Sequence, residues 1–470
     1  MSLFKSTFLY TIGNIFARSL SFILLPLYSN LISVDEFGNY SLIMSGYVII
    51  AAIYQGGLQS GFSKYYLESN DEAYRKNIFS TLFNFVFVFG LIISIFLTFF
   101  SNQLSSLILN DPSRSDLILI AIWMLFFDSL FFTILHLLKT KEQAKKVIYY
   151  SAYTAIINFI FNIFLVYYLE YGIKGMLGAQ LVSGIFALFI IYPVLKENYF
   201  FTIENKLLKK ILIFALPLLL SGVLSAFVDV LDRFIINELL DKKSVGLYSF
   251  SYRIALIMNV FIISFRTAWT PFSLRVYKDK QYPRLFGASL TKLLAVSFLI
   301  FLFVSLLIND VFNTKIFDIY ILNPKYAGGI DIIPVVMIGY IFSGLVSYYS
   351  VYPFISGKSY HFLISDIIAF STNVVLNLLL IPVWNLMGAA VATASSFIFS
   401  FLYLMIISKQ IKTELQKLEL ITVVGLAVIF FFIGSYFNLF LVDVALMLSY
   451  SYLINSILRL NKLSFRDIMK

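Results

Sequence analysis

The feature that most constrains this chain is a series of fourteen apolar runs, each about as long as a bilayer is thick. A helix needs roughly 20 apolar residues to cross the hydrocarbon core of a membrane. Of the 470 residues, 60% are hydrophobic and 13% are charged, and the apolar runs recur from end to end. The chain is therefore predicted to be an all-α polytopic membrane protein. The predicted spans cover residues 7–32, 40–62, 78–100, 116–138, 147–169, 173–195, 210–238, 245–273, 286–308, 330–355, 361–383, 386–407, 419–435 and 439–457.

The basic residues of the connecting loops support this number of spans. Cytoplasmic loops of membrane proteins carry an excess of Lys and Arg. With a cytoplasmic N-terminus, 24 of the 35 basic residues fall on the inner side, six on the outer side and five inside the spans. One missed span would invert every later loop, so the split favours fourteen spans with both termini in the cytoplasm. Because the basic residues are spread between apolar runs, a nucleic-acid partner is not expected.

Three short patterns recur in the same order in the two halves of the chain. They predict two pseudo-symmetric six-helix lobes, residues 1–200 and 201–412, followed by spans 13 and 14 and a cytoplasmic tail, residues 413–470. Transporters built from parallel repeats place their substrate between the halves. The patterns are Gly38, Tyr40 and Ser41 with Gly246, Tyr248 and Ser249; Asn158 and Asn162 with Asn373 and Asn377; and the Gly/Ala-rich starts at Gly175 and Gly388.

Charged side chains inside the spans are the candidates for a substrate path, because charge in a bilayer is costly and usually functional. Arg18 lies about 16 Å along the first span and shares a helical face with Asn14. Arg233 lies in the seventh span, and Arg253 and Arg266 lie in the eighth. These residues, together with Lys64 at the end of the second span, are predicted to bind an anionic substrate. They are Asn14, Arg18, Lys64, Arg233, Arg253 and Arg266.

Each of these residues also has a structural interpretation that the sequence leaves open. Arg18 could pair with a carboxylate inside the bundle, and Arg266 could extend to the cytoplasmic interface. Lys64 could be an ordinary positively charged anchor. Arg233 has the spacing for an ion pair with Asp229 within its own helix.

Four other ionisable residues are candidates for coupling transport to an ion gradient. They are Asp128, His136, Asp229 and Asp232. The chain contains no cysteine and two histidines, which excludes thiolate metal sites and a histidine metal centre. It also has no nucleotide-binding motif. No catalytic residue, metal ligand or cofactor is therefore predicted, and the chain is not expected to be an enzyme.

Six short motifs stand out in the chain. They are Leu216-Pro217, Asp232-Arg233, Gly246-Leu-Tyr-Ser-Phe-Ser-Tyr-Arg253, Ala268-Trp-Thr-Pro-Phe272, Asn14-x-x-x-Arg18 and Phe37-Gly-Asn-Tyr-Ser41. Together these motifs resemble the Wzx-type O-antigen and polysaccharide flippases, a family of the multidrug/oligosaccharidyl-lipid/polysaccharide exporter superfamily. The resemblance covers nearly the whole chain.

The resemblance implies a fold like that of the multidrug and toxic-compound extruders, with a cationic cavity between the lobes. It further implies alternating access that moves undecaprenyl-diphosphate-linked oligosaccharide, an O-antigen or other surface polysaccharide repeat unit, from the cytoplasmic to the periplasmic leaflet. The implied location is the bacterial inner membrane, with a polysaccharide polymerase and a chain-length regulator as possible partners. Arginine suits this substrate, since its forked donors match phosphate oxygens.

Two other functions remain as alternatives. A small-molecule or drug extruder of the same superfamily would favour acidic cavity residues and usually has twelve spans. A membrane polysaccharide polymerase or glycosyltransferase usually needs a sizeable external loop. The longest predicted outer loop here, residues 309–329, has about 21 residues, two aspartates and no histidine.

Overall fold

The structure is a computed structural model that describes residues 20, 22–55, 57–358, 360–414, 417–437 and 439–460. Within these residues, ten helices are long and apolar enough to cross a membrane, and an eleventh is obtained when one bent helix is counted as a single span. The chain is thus a predominantly helical, multi-pass membrane protein, and the fold class predicted from its sequence is confirmed. The count of fourteen spans stays a prediction, since most of the first span lies outside the described residues.

The chain divides into two compact units, residues 1–249 and 250–470. The predicted division at residues 200 and 412 stays a prediction. In the first unit, a 3-10 turn (Pro112–Arg114) precedes α6 and a π-helical turn (Ile163–Tyr168) follows α7. The helices that lie within this unit are α1 (Leu25–Leu31), α2 (Val34–Gln55), α3 (Leu58–Glu68), α4 (Glu72–Phe99), α5 (Ser101–Leu109), α6 (Ser115–Thr140), α7 (Ala144–Asn162), α8 (Gly172–Asn198) and α9 (Asn205–Leu239).

The remaining helices begin with α10, which contains the division between the units. A two-stranded antiparallel hairpin follows α11, with Lys315 opposite Tyr320 and Ile316 opposite Ile319. The elements are α10 (Lys242–Val276), α11 (Tyr282–Asn313), β1 (Lys315–Ile316), β2 (Ile319–Tyr320), α12 (Ile332–Tyr349), α13 (Val351–Ser356), α14 (Tyr360–Ile407), α15 (Lys417–Phe437) and α16 (Phe440–Leu460).

Helix ends coincide with residues that can satisfy or terminate a helical backbone. The Asp71 side chain accepts a hydrogen bond from the Ala73 N–H at the start of α4, a standard N-terminal cap. Asn110 ends α5 with φ +50°, a left-handed conformation that suits helix termination. Asn385, with φ +50° and ψ −129°, interrupts α14 between the predicted spans 361–383 and 386–407.

In the first unit, the break between α2 and α3 lies next to a bend in α9. Gly57, with φ +71°, separates α2 from α3. Helix α9 bends by 48° between Leu216 and Leu218, where the sequence places a proline and therefore lacks a backbone donor. A Cβ atom at Gly57 would overlap the carbonyl oxygen of Ala215. The two interruptions therefore pack directly against each other.

Each unit has its own apolar core. In the first unit, apolar and aromatic side chains of α3, α4, α6, α7, α8 and α9 form one buried cluster that includes Phe62 and Phe79. In the second unit, Trp269 of α10 stacks on Tyr348 of α12 at 4.7 Å between ring centroids. Its indole N–H donates to the Tyr348 carbonyl oxygen at 3.1 Å. Such contacts fix helix positions where lipid provides no hydrophobic driving force.

The predicted repeat has matching local geometry in the two units. The Asn162 amide donates to the Asn158 side-chain oxygen at 3.1 Å, and the Asn377 amide donates to Asn373 at 2.9 Å. Gly175 packs against the backbone of Leu165, and Gly388 packs against the backbone of Leu380. The asparagine pairs also bond to other segments. Tyr28 donates to Asn162 at 2.7 Å, and Asn373 donates to Thr393 at 3.4 Å.

Candidate functional site

The Asp232 carboxylate is the centre of a buried ionic cluster near the end of α9. The residue is 0% exposed. Its Oδ1 atom lies 2.7 Å from Arg233 Nη1, and the Tyr248 hydroxyl of α10 donates to Oδ2 at 2.6 Å. A buried carboxylate needs this combination of a countercharge and hydrogen bonds to offset its lost hydration.

Arg233 is held by groups from both helices. Its guanidinium pairs with Asp232, donates to the backbone carbonyl of Asp229 and lies 5.6 Å from the centre of the Tyr248 ring. The last contact is within the range of a cation–π interaction. Asp229 is exposed, whereas Arg233 is only 9% exposed. The arginine thus binds the carboxylate next to it in sequence and the backbone one turn earlier.

The helix starts that carry the repeated Gly-x-Tyr-Ser pattern pack against each other within the first unit. A Cβ atom at Gly38 of α2 would overlap the carbonyl oxygen of Lys242, and one at Gly246 of α10 would overlap the carbonyl oxygen of Val34. Only glycine permits two backbones to come this close. The contact is reciprocal, and Tyr248, the partner of Asp232, lies two residues beyond Gly246. We call this contact the glycine junction.

Charged residues surround the glycine junction at the start of α2. Arg114 Nη1 lies 2.6 Å from Glu36 Oε1 and its Nε lies 3.7 Å from Asp111 Oδ2. The hydroxyl and backbone N–H of Ser113 donate to Asp111 and lower the pKa of that carboxyl. Asp111 is therefore ionised under ordinary conditions, and these contacts fix the turn before α6.

Asp128 lies in a second buried polar site, formed by α2, α6 and α8. The Tyr47 hydroxyl donates to its Oδ2 atom at 2.7 Å, and the Gln180 amide lies 3.5 Å from the same atom. Gly184 of α8 leaves room for the carboxylate, since a Cβ there would be 3.0 Å from Oδ1. The sequence predicts Asp128 as a coupling candidate but not Tyr47 or Gln180, because their contacts are non-local.

His136 lies two turns further along α6 and has different partners. Its Nε2 atom is 2.8 Å from the Ser63 hydroxyl and 2.9 Å from the Gln59 carbonyl oxygen. The Ser63 hydroxyl is also 3.1 Å from the Thr140 hydroxyl. The histidine thus cross-links α6 to α3 just after the interruption at Gly57, beside a small cavity. That cavity is lined by Tyr54, Gln55, Leu58, Gln59, Leu82, Val86, Ser129, Thr133 and His136.

The other candidate cations are placed as follows. Arg253 is half-buried on α10, next to Tyr252, whose hydroxyl accepts from Tyr340 at 3.0 Å. Arg266 is exposed on the same helix, three residues before Trp269. Lys64 is exposed on α3, with its ammonium 4.4 Å from the centre of the Phe214 ring. Arg18 and Asn14 lie outside the described residues.

The structure therefore groups some predicted residues and separates others. Asp229, Asp232 and Arg233 form one cluster, whereas Asp128 and His136 belong to two separate polar sites of the first unit. In the part of the chain that the structure describes, no group of three or more His, Asp or Glu side chains could hold a metal ion.

Two solved structures share this fold. A lipid II flippase, MurJ, in an inward closed conformation matches with a TM-score of 0.79 and 19% identity, covering 98% of this chain and all of that one. An inward-facing multidrug resistance transporter of the MATE family matches with a TM-score of 0.65 and 14% identity, covering 85% of this chain and 95% of that one. At these identities the likeness concerns the fold.

Sequence comparison identifies the family. A protein of the Lsg locus of Haemophilus influenzae is 23% identical over 290 residues, which is 60% of this chain and 68% of that protein. The sequence profile described as "Polysaccharide biosynthesis protein" matches residues 27–314. This match covers more than half of the chain and agrees with the resemblance carried by the sequence motifs. The chain belongs to the polysaccharide biosynthesis protein family.

Proposed function

We propose that this protein is a flippase that moves a polyprenyl-diphosphate-linked oligosaccharide from the cytoplasmic to the outer leaflet by alternating access. The observation that carries the proposal is the match of nearly the whole chain to the fold of a lipid II flippase, in a member of a polysaccharide biosynthesis family. The substrate we propose is an undecaprenyl-diphosphate-linked repeat unit of O-antigen or another surface polysaccharide. The proposed location is the bacterial inner membrane, with cytoplasmic termini.

Arginine is the residue type that this substrate requires. A diphosphate carries its charge into a medium where an uncompensated ion is very costly. Arginine remains charged there and binds phosphate oxygens with two parallel hydrogen bonds. Arg266 is the described cation that best fits this role, because it is exposed and forms no ion pair within 4 Å among the residues that the structure describes. We propose that Arg18 and Arg253 contribute further contacts.

Arg233 has a different role in this proposal. Its guanidinium is already bound by the Asp232 carboxylate and the Asp229 carbonyl, so we infer that it positions α9 against α10 and meets substrate only when that pair rearranges. Asp128, Asp229, Asp232 and His136 remain the candidates for coupling to a proton or sodium gradient. A polysaccharide polymerase and a chain-length regulator are the proposed partners that would use the translocated product.

A bacterial strain that lacks its own flippase for this repeat unit provides the test. We expect the wild-type chain to restore surface polysaccharide and Arg266→Gln to abolish this restoration. Arg266→Lys should restore part of the polysaccharide, because the lysine ammonium keeps the charge but lacks the forked donors of the guanidinium. Arg275→Gln, an exposed arginine further along α10, is the matched control and should behave as wild type. All variants must reach the membrane at equal levels.

Normal polysaccharide display by Arg266→Gln at native expression would contradict the role of this arginine. Failure of the wild-type chain to restore any polysaccharide, together with protection against cationic dyes, would instead favour a small-molecule extruder of the same fold.

A further inference from the structure

An open groove lies beside the crossing of α3 and α9 in the first unit. The two helices come close at Gly61, where a Cβ would lie 3.1 Å from the Ile211 carbonyl oxygen, and at Gly57 against Ala215. Next to this crossing the groove has a volume of about 510 Å³ and is lined by Tyr65, Lys210, Ile213, Phe214 and Leu218. Four of its five lining side chains are apolar or aromatic.

Two lysines lie at the groove. The Lys64 ammonium lies 4.4 Å from the centre of the Phe214 ring and 5.4 Å from that of Tyr65, and Lys210 is part of the lining. Both lysines are exposed. Neither has a carboxylate within 4 Å among the described residues, where the ion pairs involve other side chains. Among the described residues, no carboxylate therefore neutralises either of these positive charges.

The surface that continues from the groove along α9 is apolar. Ile213 is 64% exposed and Leu218 is 41% exposed, and Leu216 and Leu220 are exposed as well. In the predicted topology the lysines lie on the cytoplasmic side and this apolar surface extends into the bilayer. An excess of inner-side lysine alone would account for the charge. That excess would not account for a groove lined by Tyr65 and Phe214 next to these lysines.

We propose that this groove binds an anionic phospholipid of the cytoplasmic leaflet. The headgroup phosphate lies between Lys64 and Lys210, and one acyl chain lies over Phe214, Ile213 and Leu218. The charge and the polarity of the groove both match such an amphiphile, since lysines near a membrane surface attract anionic headgroups. Because the lipid contacts both α3 and α9, it stabilises the packing of the two interrupted helices.

Photolabelling of the purified full chain tests this site. The protein is reconstituted in phosphatidylcholine vesicles that contain a photoreactive phosphatidylglycerol, and labelled peptides are identified by mass spectrometry. We expect labelling at the groove, reduced on the order of five-fold by Lys64→Gln or Lys210→Gln and about 30-fold by both together. The control, Lys145→Gln with Lys146→Gln, removes the same charge from exposed lysines of α7 and should leave the labelling unchanged.

A second variant tests the space in the groove independently of the lysine charges. Ile213→Trp fills the groove and keeps both lysines, and we expect it to reduce labelling at Phe214 and Tyr65 as strongly as the double lysine variant. Ile429→Trp, at an exposed position of α15, is its control. Undiminished labelling in either groove variant, or equal labelling by a photoreactive phosphatidylcholine, would overturn the proposal. None of these readouts uses translocation, so their outcome is independent of the proposed function.

Discussion

At the scale of single residues, the Asp232 cluster is the best-defined charged contact inside the helices. Asp232 accepts from Arg233 at 2.7 Å and from Tyr248 at 2.6 Å, and both bonds are hydrogen bonds to a charged acceptor, the stronger class. Removal of one partner of a buried ion pair leaves an uncompensated charge. The free-energy cost of this unpaired charge is larger than the net stabilisation that the intact pair provides.

Arg233→Ala is therefore expected to destabilise the protein by about 3–5 kcal/mol. The measurement is the midpoint of thermal unfolding in detergent, followed by size-exclusion chromatography. Arg233→Met combined with Asp232→Asn removes both charges and is expected to recover most of the loss. Wild-type stability of Arg233→Ala, or no recovery in the double variant, would contradict a structural ion pair.

Asp128 gives a second test at this scale. Tyr47→Phe removes the hydroxyl that donates to the Asp128 carboxylate at 2.7 Å, with an expected cost of about 1–3 kcal/mol because a buried acceptor loses its closer donor. Tyr54→Phe, in the same helix, removes a bond to the neutral Gly90 carbonyl oxygen at 3.2 Å and should cost about 0.5–1.5 kcal/mol. Equal unfolding midpoints for the two variants would mean that Asp128 does not depend on Tyr47.

The sequence predicts which residues are unusual more reliably than it predicts their partners. The spacing of Asp229 and Arg233 on one helical face does not indicate that Arg233 binds the Asp232 carboxylate and the Asp229 backbone, as the structure shows. The reason is non-local: Tyr248 of the next helix fixes the orientation of Asp232. Tyr47 was likewise missed, since nothing in an apolar helix indicates which tyrosine faces a carboxylate on another helix.

At the scale of helices, the glycine junction joins the first turns of α2 and α10. Gly38 and Gly246 each lie against a backbone carbonyl of the other helix, so an added methyl group must push the two helices apart. In the predicted topology this junction lies on the outer side of the membrane. Glycine at both positions allows the two helix backbones to pack in direct contact.

Gly38→Ala and Gly246→Ala are each expected to lower stability by about 1–3 kcal/mol, the usual cost of overpacking. Gly222→Ala in α9 is the matched control, because no atom lies within 4 Å of its Cβ position. There, alanine should stabilise the helix by up to about 1 kcal/mol. The readout is again the unfolding midpoint, and destabilisation by all three variants alike would show that the junction has no special role.

The sequence predicts where the helices lie more reliably than it predicts where they are interrupted. The predicted spans of the described part overlap the observed helices, and the boundary between spans 361–383 and 386–407 falls at Asn385. The predicted span 40–62 contains the interruption at Gly57, whose neighbouring glycine and polar residues do not reveal a positive φ. Contact with the Ala215 backbone explains why glycine is needed there.

At the scale of the whole molecule, a helical membrane fold with a predicted internal duplication is proposed to transport a lipid-linked anion. The predicted duplication is matched by similar asparagine and glycine contacts in the two units. Family membership is given by the sequence match, and the fold is that of a lipid flippase and of multidrug transporters. The identity of the transported molecule is the central claim that experiment must decide.

Translocation in proteoliposomes tests that claim most directly. A fluorescent polyprenyl-diphosphate oligosaccharide is placed in both leaflets, and its access to an external sugar-modifying enzyme is followed over time. We predict that the fraction modified rises from about half to nearly all of the substrate only when the wild-type or the Arg275→Gln chain is present. No such rise should occur with Arg266→Gln. A modified fraction that stays at the protein-free value with the folded wild-type chain, under imposed proton, sodium and voltage gradients, would contradict the account.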